Sequence, residues 1–249
     1  MKAIILAAGI GQRLGEISNG RPKCLLEFDD VSLLHRHFHI LEALGIDDVL
    51  VVTGYQEEEI VAEIKNFQGS LPVRTAFNPD FKSGSVISLN TARDVLEAEE
   101  DFILMDADVL YHPGILKQLL ISPHGNCLLL DQYFETGEEP VKICIDKGVI
   151  VEFRKIIDKQ LTFDLQGESV GFFKFTGEIG HALASRCQYY IENRKNDEPY
   201  EEVLRDLLLD RPQSFGVENI TGLAWIEIDF PEDVKRAANE ILPTLPGID

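Results

Sequence analysis

The stretch MKAIILAAGIGQRLGEISNGRPKCLLEF (Met1–Phe28) decides how the rest of the chain is read. From Ala3 to Ala8 it is apolar without a break, and it then meets Gly9. A short, continuous apolar run predicts a strand buried on both faces, as in a parallel sheet. Gly9 and Gly11 predict a tight turn whose backbone can approach a ligand and aim N–H groups at an anion. Arg13, Arg21 and Lys23 add cations to the same loop. A plain strand-to-helix turn would account for the glycines, but not for the basic residues that follow.

Those cations stand against a strongly acidic background. The 249 residues include 43 Asp and Glu but 23 Lys and Arg, a formal charge of −20. Such a surface repels nucleic acid and anionic membranes, so neither is expected as a partner. An anionic ligand would need a local basic pocket, and residues 1–28 are the candidate. Cys24, Cys127, Cys144 and Cys187 are scattered with no CxxC spacing, which predicts reduced thiols and no metal motif. The first apolar run is too short and wrongly flanked for a signal peptide, and no stretch reaches the length of a membrane span. The expected location is the cytoplasm.

Outward from the first strand, helical and strand patterns alternate. Residues 32–44 read as a helix ended by Gly45, DDVLVVTGY as a buried strand and EEEIVAEIKNF as a helix. LPVRTAF reads as a strand, SVISLNTARDVLEA as a helix, DFILMDADV as a third buried strand and HPGILKQLL as a helix. Alternation over about 120 residues predicts right-handed βαβ units and a mostly parallel α/β sheet. The second half reads as meander-like strands (NCLLLDQ, VKICID, GVIVEFRK, SVGFFKF), then helices near 178–193 and 199–209, a strand GLAWIEIDF and a closing helix PEDVKRAANEIL. No linker separates the halves, which predicts one domain over 1–249, made of a first part (1–120) and a second part (121–249).

The opening loop fails two phosphate-binding patterns. No Lys-Ser or Lys-Thr follows a glycine at P-loop spacing. Gly9 and Gly11 begin a G-x-G-x-x-G, but Leu14 occupies the third position, and Arg13, Pro22 and Lys23 make residues 12–24 a poor helix. LAAGIGQRL (Leu6–Leu14) followed by RPKCLLEF (Arg21–Phe28) instead resembles the nucleotidyltransferase superfamily, whose pattern is a strand, LAAGxGxR and then a PK dipeptide. The resemblance implies a Rossmann-like, GT-A-like sheet with added antiparallel strands covering the site. It implies a loop, Leu6, Ala7, Ala8, Gly9 and Gly11, that wraps a nucleotide, with Arg13 and Lys23 on its phosphates.

The acids agree. Asp106 and Asp108 close the third buried strand and share a face if the chain stays extended. Ligands of open parallel sheets bind at carboxyl ends of strands. Carboxylates facing a triphosphate need a divalent cation between them, and Mg²⁺ is the expected one. The resemblance favours Asp108 as its ligand, with Asp106 beside the nucleotide, although one Asp could simply cap the next turn. It places Asp229 on the same metal; Asp229 could instead cap the helix that starts at Pro231. Glu227, on the same strand face, is the weaker candidate. In relatives the segment FNPDFKSGSVISLNTA reads the base, which singles out Gly84, Ser85 and Ser88, each also explicable as loop or helix cap.

On the acceptor side the resemblance points to Lys155, with Lys142 and Lys174 as alternatives; YEEVLRDLL brings Glu201 and Glu202 near the start of a helix, where one of them could face a cationic head group. Both glutamates would also suit a helix N-terminus without any ligand. RLGEISNGRPK lacks the proline usual in sugar-1-phosphate members, and DAD stands where those have GD. GESVGFFKF, YEEVLRDLL and WIEIDFPEDV are more similar to cytidylyltransferases acting on phosphocholine, other phosphoalcohols or aminophosphonates. A quaternary ammonium would favour an aromatic cage; the chain offers Tyr133, Phe134, Phe172, Phe173, Tyr189, Tyr190 and Trp225, none assignable from sequence. His35 and His39 have metal-binding i, i+4 spacing but no third ligand. The implied function is Mg²⁺-dependent CMP transfer from CTP to a small phosphorylated or phosphonate acceptor. A sugar-1-phosphate nucleotidyltransferase and a non-catalytic nucleotide-binding regulator are the rivals, and a homo-oligomer is left open.

Overall fold

A computed structural model of the protein describes residues 1–18, 20–134 and 137–247. The first apolar run forms β1 (Lys2–Leu6), with Ala3, Ile4 and Ile5 wholly buried. A hairpin, β2 (Glu27–Phe28) and β3 (Val31–Ser32), follows the loop and leads into α1 (Leu33–Ala43). Ser32 caps that helix by accepting from the His35 N–H. Then come β4 (Asp48–Thr53), α2 (Glu57–Asn66), β5 (Val73–Phe77), α3 (Ser85–Thr91), α4 (Arg93–Leu96) and β6 (Phe102–Asp106). β1 lies between β4 and β6, parallel to both, and β5 extends the sheet beyond β4. The parallel α/β core expected from the alternation is present.

The second half departs from a meander. After β7 (Val109–Tyr111), α5 (Pro113–Ile121) and β8 (Cys127–Asp131), the chain forms the hairpin β9 (Lys142–Asp146) and β10 (Val149–Arg154). The long β11 (Leu165–Phe175) then inserts between these pieces. Its last residues pair antiparallel with β6, its first with β9, and its outer edge with β8. The order is β10-β9-β11-β6-β1-β4-β5, with β8 and β12 (Gly216–Asn219) joined through β11. β11 therefore welds the antiparallel strands onto the parallel sheet. β12, with few apolar residues, gave no strand signal in the sequence.

α6 (Gly177–Glu192) and α7 (Tyr200–Asp210) cover one face. β13 (Trp225–Glu227) pairs with β7 as a separate ribbon, and α8 (Pro231–Arg236) follows. The closing helix is shorter than its pattern: a π turn over Ala237–Ile241 and a 3₁₀ turn over Leu242–Thr244 replace it, where Pro243 cannot donate a backbone bond. Apolar residues on the two sheet faces make two cores, and a third cluster has its own logic. It joins Leu14 of the glycine loop, Leu110 of β7, Ile226 and Ile228 around β13, and Ala237. This cluster clamps three distant segments that each carry a charged residue of the cleft. Among the described residues no helix is long and apolar enough to cross a membrane.

Candidate active site

The carboxyl ends of β1 and β6 open into a cleft of about 450 Å³. Its lining includes Leu6, Ala7, Ala8, Gly9, Gly11 and Arg13 from the loop, Lys23, then Ser85 and Ser88 of α3, and Asp106, Asp108, Glu201 and Asp229. The loop is built of short 3₁₀ turns, two within Gln12–Ser18 that break at Gly15 and one at Lys23–Leu25, rather than an α-helix. Gly11 has φ +66°, and a Cβ there would stand 2.8 Å from the Lys23 Cγ. Only glycine combines that backbone with room for the lysine stem.

Lys23 sits at the electrostatic centre. Its Nζ donates to Asp108 Oδ2 at 2.8 Å and to Asp229 Oδ1 at 2.6 Å. Arg13 reaches Asp229 Oδ2 at 3.4 Å. Burial opposes the Lys23 charge, but Asp108 and Asp229 outweigh it and hold its pKa above the ordinary lysine value. Burial likewise pushes Asp229 up, while Lys23 and Arg13 more than compensate and hold it low. Asp229 does not cap α8. The Asp233 carboxylate does so, accepting from the N–H groups of Asp229 and Phe230 at 3.0 and 2.7 Å. Glu227, the weaker sequence candidate, stands with the other two: Asp108, Glu227 and Asp229 each offer an oxygen within 4.8 Å of one another. Crowding by protein and then by Asp108 and Asp229 raises its pKa. A set of hard carboxylate oxygens suits Mg²⁺.

Asp106 and Asp108 do not share the face of one extended strand. β6 ends at Asp106, the chain bends through Ala107 and Asp108, and Val109 starts a strand of another ribbon. Asp108 therefore turns to Lys23, while Asp106 accepts from the Tyr200 hydroxyl at 2.8 Å. Burial first, then Glu201, Asp108 and Glu227, push the Asp106 pKa well up. Gly171, at φ +78° in β11, makes the space for it. Tyr200, Gly171, Gln12, Phe81 and Ser83 gave no signal in the sequence.

Several expected residues have structural duties. Gly84 does not line the cleft; a Cβ there would lie 2.1 Å from the Glu198 carbonyl oxygen, so the glycine admits the 196–198 backbone. Ser85 lines the cleft while its Oγ accepts from the Tyr200 N–H at 2.8 Å, and Ser88 Oγ accepts from Asn78 at 3.0 Å. Lys155 lies outside the main cleft, in an adjoining cavity of about 360 Å³ that shares Glu201 with it. One buried Glu201 oxygen has no hydrogen-bond partner in the protein. Glu202 instead grips Arg154 through both its oxygens. Lys142 and Lys174 are occupied by backbone carbonyls, of Gly137, Pro140 and Lys155 and of Leu120 and Ser122 respectively. His35 bonds the Glu63 carbonyl and His39 packs its ring 5.0 Å from that of Phe67, so the two do not form a metal site.

Of the aromatics, Phe172, Phe173 and Tyr190 are core. Tyr133, Phe134 and Trp225, with Phe230, line a second cavity of about 380 Å³ that shares Glu227 and Asp229 with the cleft. Asp131, Glu138, Glu139 and Glu168 line it too, and Trp225 Nε1 donates to Asp131 at 2.8 Å.

Residues 3–161 match the MobA-like NTP transferase domain. The chain belongs to that family. It is an enzyme of the nucleotidyltransferase type, as the loop and PK signatures imply. It is 24% identical to the CTP:phosphoglutamine cytidylyltransferase of Campylobacter jejuni, over 94% of this chain and 98% of that one. It is 27% identical to a UTP–glucose-1-phosphate uridylyltransferase of Haloferax volcanii, over 97% and 96%. The CTP:phosphocholine cytidylyltransferase of Streptococcus pneumoniae superposes with a TM-score of 0.73 at 19% identity, covering 95% and 97%. The nucleotidyltransferase fold, a mostly parallel sheet with added antiparallel strands, is thereby shown.

Proposed function

We propose that this nucleotidyltransferase moves CMP from CTP to a small phosphoalcohol or aminophosphonate and releases pyrophosphate, with Mg²⁺ as cofactor. The observation that carries the reading is that Lys23 bonds Asp108 and Asp229 while Glu227 offers an oxygen within 4.8 Å of theirs, in the cleft that the glycine loop lines. Asp108 and Asp229, with Glu227, would hold the Mg²⁺, which neutralises phosphate charge when bound. Arg13 and Lys23 contact the phosphates as an oxygen of the acceptor attacks the α-phosphorus. The bond to the bridging oxygen breaks and pyrophosphate departs. No covalent enzyme intermediate is required, since positioning and charge neutralisation carry such transfers.

Leu6, Ala7, Ala8, Gly9 and Gly11 cradle the nucleotide, and Ser85 and Ser88 face its base. Lys155 and Glu201 border the acceptor. The neighbouring aromatic and acidic cavity favours a cationic head group, because aromatic faces and carboxylates both attract ammonium. Phosphocholine-type acceptors lead, with aminoethylphosphonate next. The 27% identity to a uridylyltransferase keeps a sugar 1-phosphate acceptor as the second reading. Four free, buried cysteines accord with a reducing cytoplasm.

The test is pyrophosphate release with Mg²⁺, crossing four NTPs with phosphocholine, phosphoethanolamine, aminoethylphosphonate and glucose 1-phosphate. Release with CTP and an amino-alcohol phosphate or phosphonate is expected. Release confined to UTP or dTTP with the sugar phosphate would replace this reading by the second.

A further inference from the structure

Arg13 and Lys155 meet on a single atom. Arg13 Nη1 donates to Glu139 Oε2 at 3.0 Å, and Lys155 Nζ donates to the same oxygen at 3.2 Å. Arg13 belongs to the loop wall of the cleft; Lys155 borders the adjoining cavity. Glu139 comes from the connection between β8 and β9. All three side chains stay close to half-exposed, at 47%, 44% and 55%. Exposed pairs of this sort contribute little to folding. The bridge they form spans the cleft lined by Arg13 and the two cavities that adjoin it, lined by Glu139 and by Lys155.

One carboxylate oxygen shared by two cations offers the charge and acceptor geometry of a phosphate oxygen. Lys23 repeats the idea with the opposite sign, an ammonium bonded to carboxylates that suit a divalent cation. We propose that Glu139 is an internal competitor for phosphate: it occupies Arg13 and Lys155 in the free protein and reclaims them as products leave. It is a positioning residue, acting through Arg13 and Lys155. The inference rests on the nucleotidyltransfer reading above. Its consequence is a faster release of pyrophosphate at the expense of ground-state affinity.

The test is titration calorimetry with inorganic pyrophosphate and with CTP, at fixed ionic strength with Mg²⁺, on the wild type, Glu139→Gln and Glu139→Ala. Both variants are expected to bind pyrophosphate about fivefold more tightly, the scale of an exposed ion pair. Turnover at saturating CTP should fall as product lingers, while KM for CTP falls too. Glu138→Gln removes the same charge one residue away and should leave the affinity near that of the wild type. In an Arg13→Ala background the Glu139 effect should shrink. Unchanged or weaker pyrophosphate binding by both Glu139 variants, in a wild type that binds CTP and turns over, overturns this proposal alone. Equal tightening by Glu138→Gln overturns it as well, since general charge would then suffice. A wild type that binds neither CTP nor pyrophosphate overturns this proposal and the function together.

Discussion

The Cα of Gly171 lies against the carboxylate of Asp106, so that a Cβ at residue 171 would stand 2.3 Å from Asp106 Oδ2. The glycine also holds φ +78°, where an L side chain is strained. Gly171→Ala should therefore push Asp106 off Tyr200 and cost about 2–3 kcal/mol, combining backbone strain with a disturbed buried bond. Urea denaturation measures this. A loss under about 0.5 kcal/mol would mean that the strand accommodates the methyl group and that Asp106 is not fixed by the glycine.

Lys23→Ala leaves Asp108, Glu227 and Asp229 facing one another without their ammonium. Turnover should drop at least about 100-fold, as a lost charge on transferring phosphates implies. Stability should drop by about 1–3 kcal/mol, the cost of leaving a partly buried charge unpaired. Added Mg²⁺ should then raise Tm more in the variant than in the wild type, because no resident cation competes for the carboxylates. Thermal shifts with and without Mg²⁺ compare the two, and equal shifts would argue against a shared cation position.

Leu14 is wholly buried in the cluster with Leu110, Ile226 and Ile228. Leu14→Ala should cost about 2–5 kcal/mol, as buried leucine truncations do. It should also raise KM for the nucleotide, because Arg13, one residue away, loses its anchor to the segment bearing Asp229. A variant destabilised to that extent but with wild-type KM would separate the loop's position from this packing.

His37 is wholly buried, 3.2 Å from the Ala107 carbonyl, and burial lowers its pKa to about 4. The unfolded chain takes up this proton near the ordinary histidine value, about 6.5. The folded state binds fewer protons between those values, so its stability is fully present above about 6.5 and is lost as pH falls towards 4. His37 should contribute about 2 kcal/mol of the stability lost between pH 7 and pH 5. Urea titrations of the wild type and His37→Phe at both pH values measure it, and identical pH slopes would refute the assignment.

The parallel core was readable because its strands are continuous apolar runs and its helices carry ordinary caps, as at Ser32. Leu6–Lys23 was readable as a nucleotidyltransferase signature because glycine, arginine and lysine follow a strand in a fixed order. What escaped depends on register rather than local composition. Tyr200 reaches Asp106 across 94 positions, and Glu139 reaches Arg13 across 126. Asp106 and Asp108 were misread because period-two reasoning presumes an extended chain, and this one bends at Ala107. Gly84 was assigned to the base when its missing side chain serves the 196–198 backbone. β11 was read as a short strand, although its eleven residues join both halves of the sheet.

β13 ends at Glu227 and delivers Asp229 two residues on, well outside the segment 3–161 that carries the family match. On the proposed assignment, two of the three carboxylates that would hold the metal lie outside the matched segment. Under that assignment a related chain could keep every residue of the matched segment and still be inert after exchanging the carboxylates at the end of β13 and two residues beyond it. Sorting active from silent members of such a group by sequence means reading the strand that pairs with β7 before reading the loop.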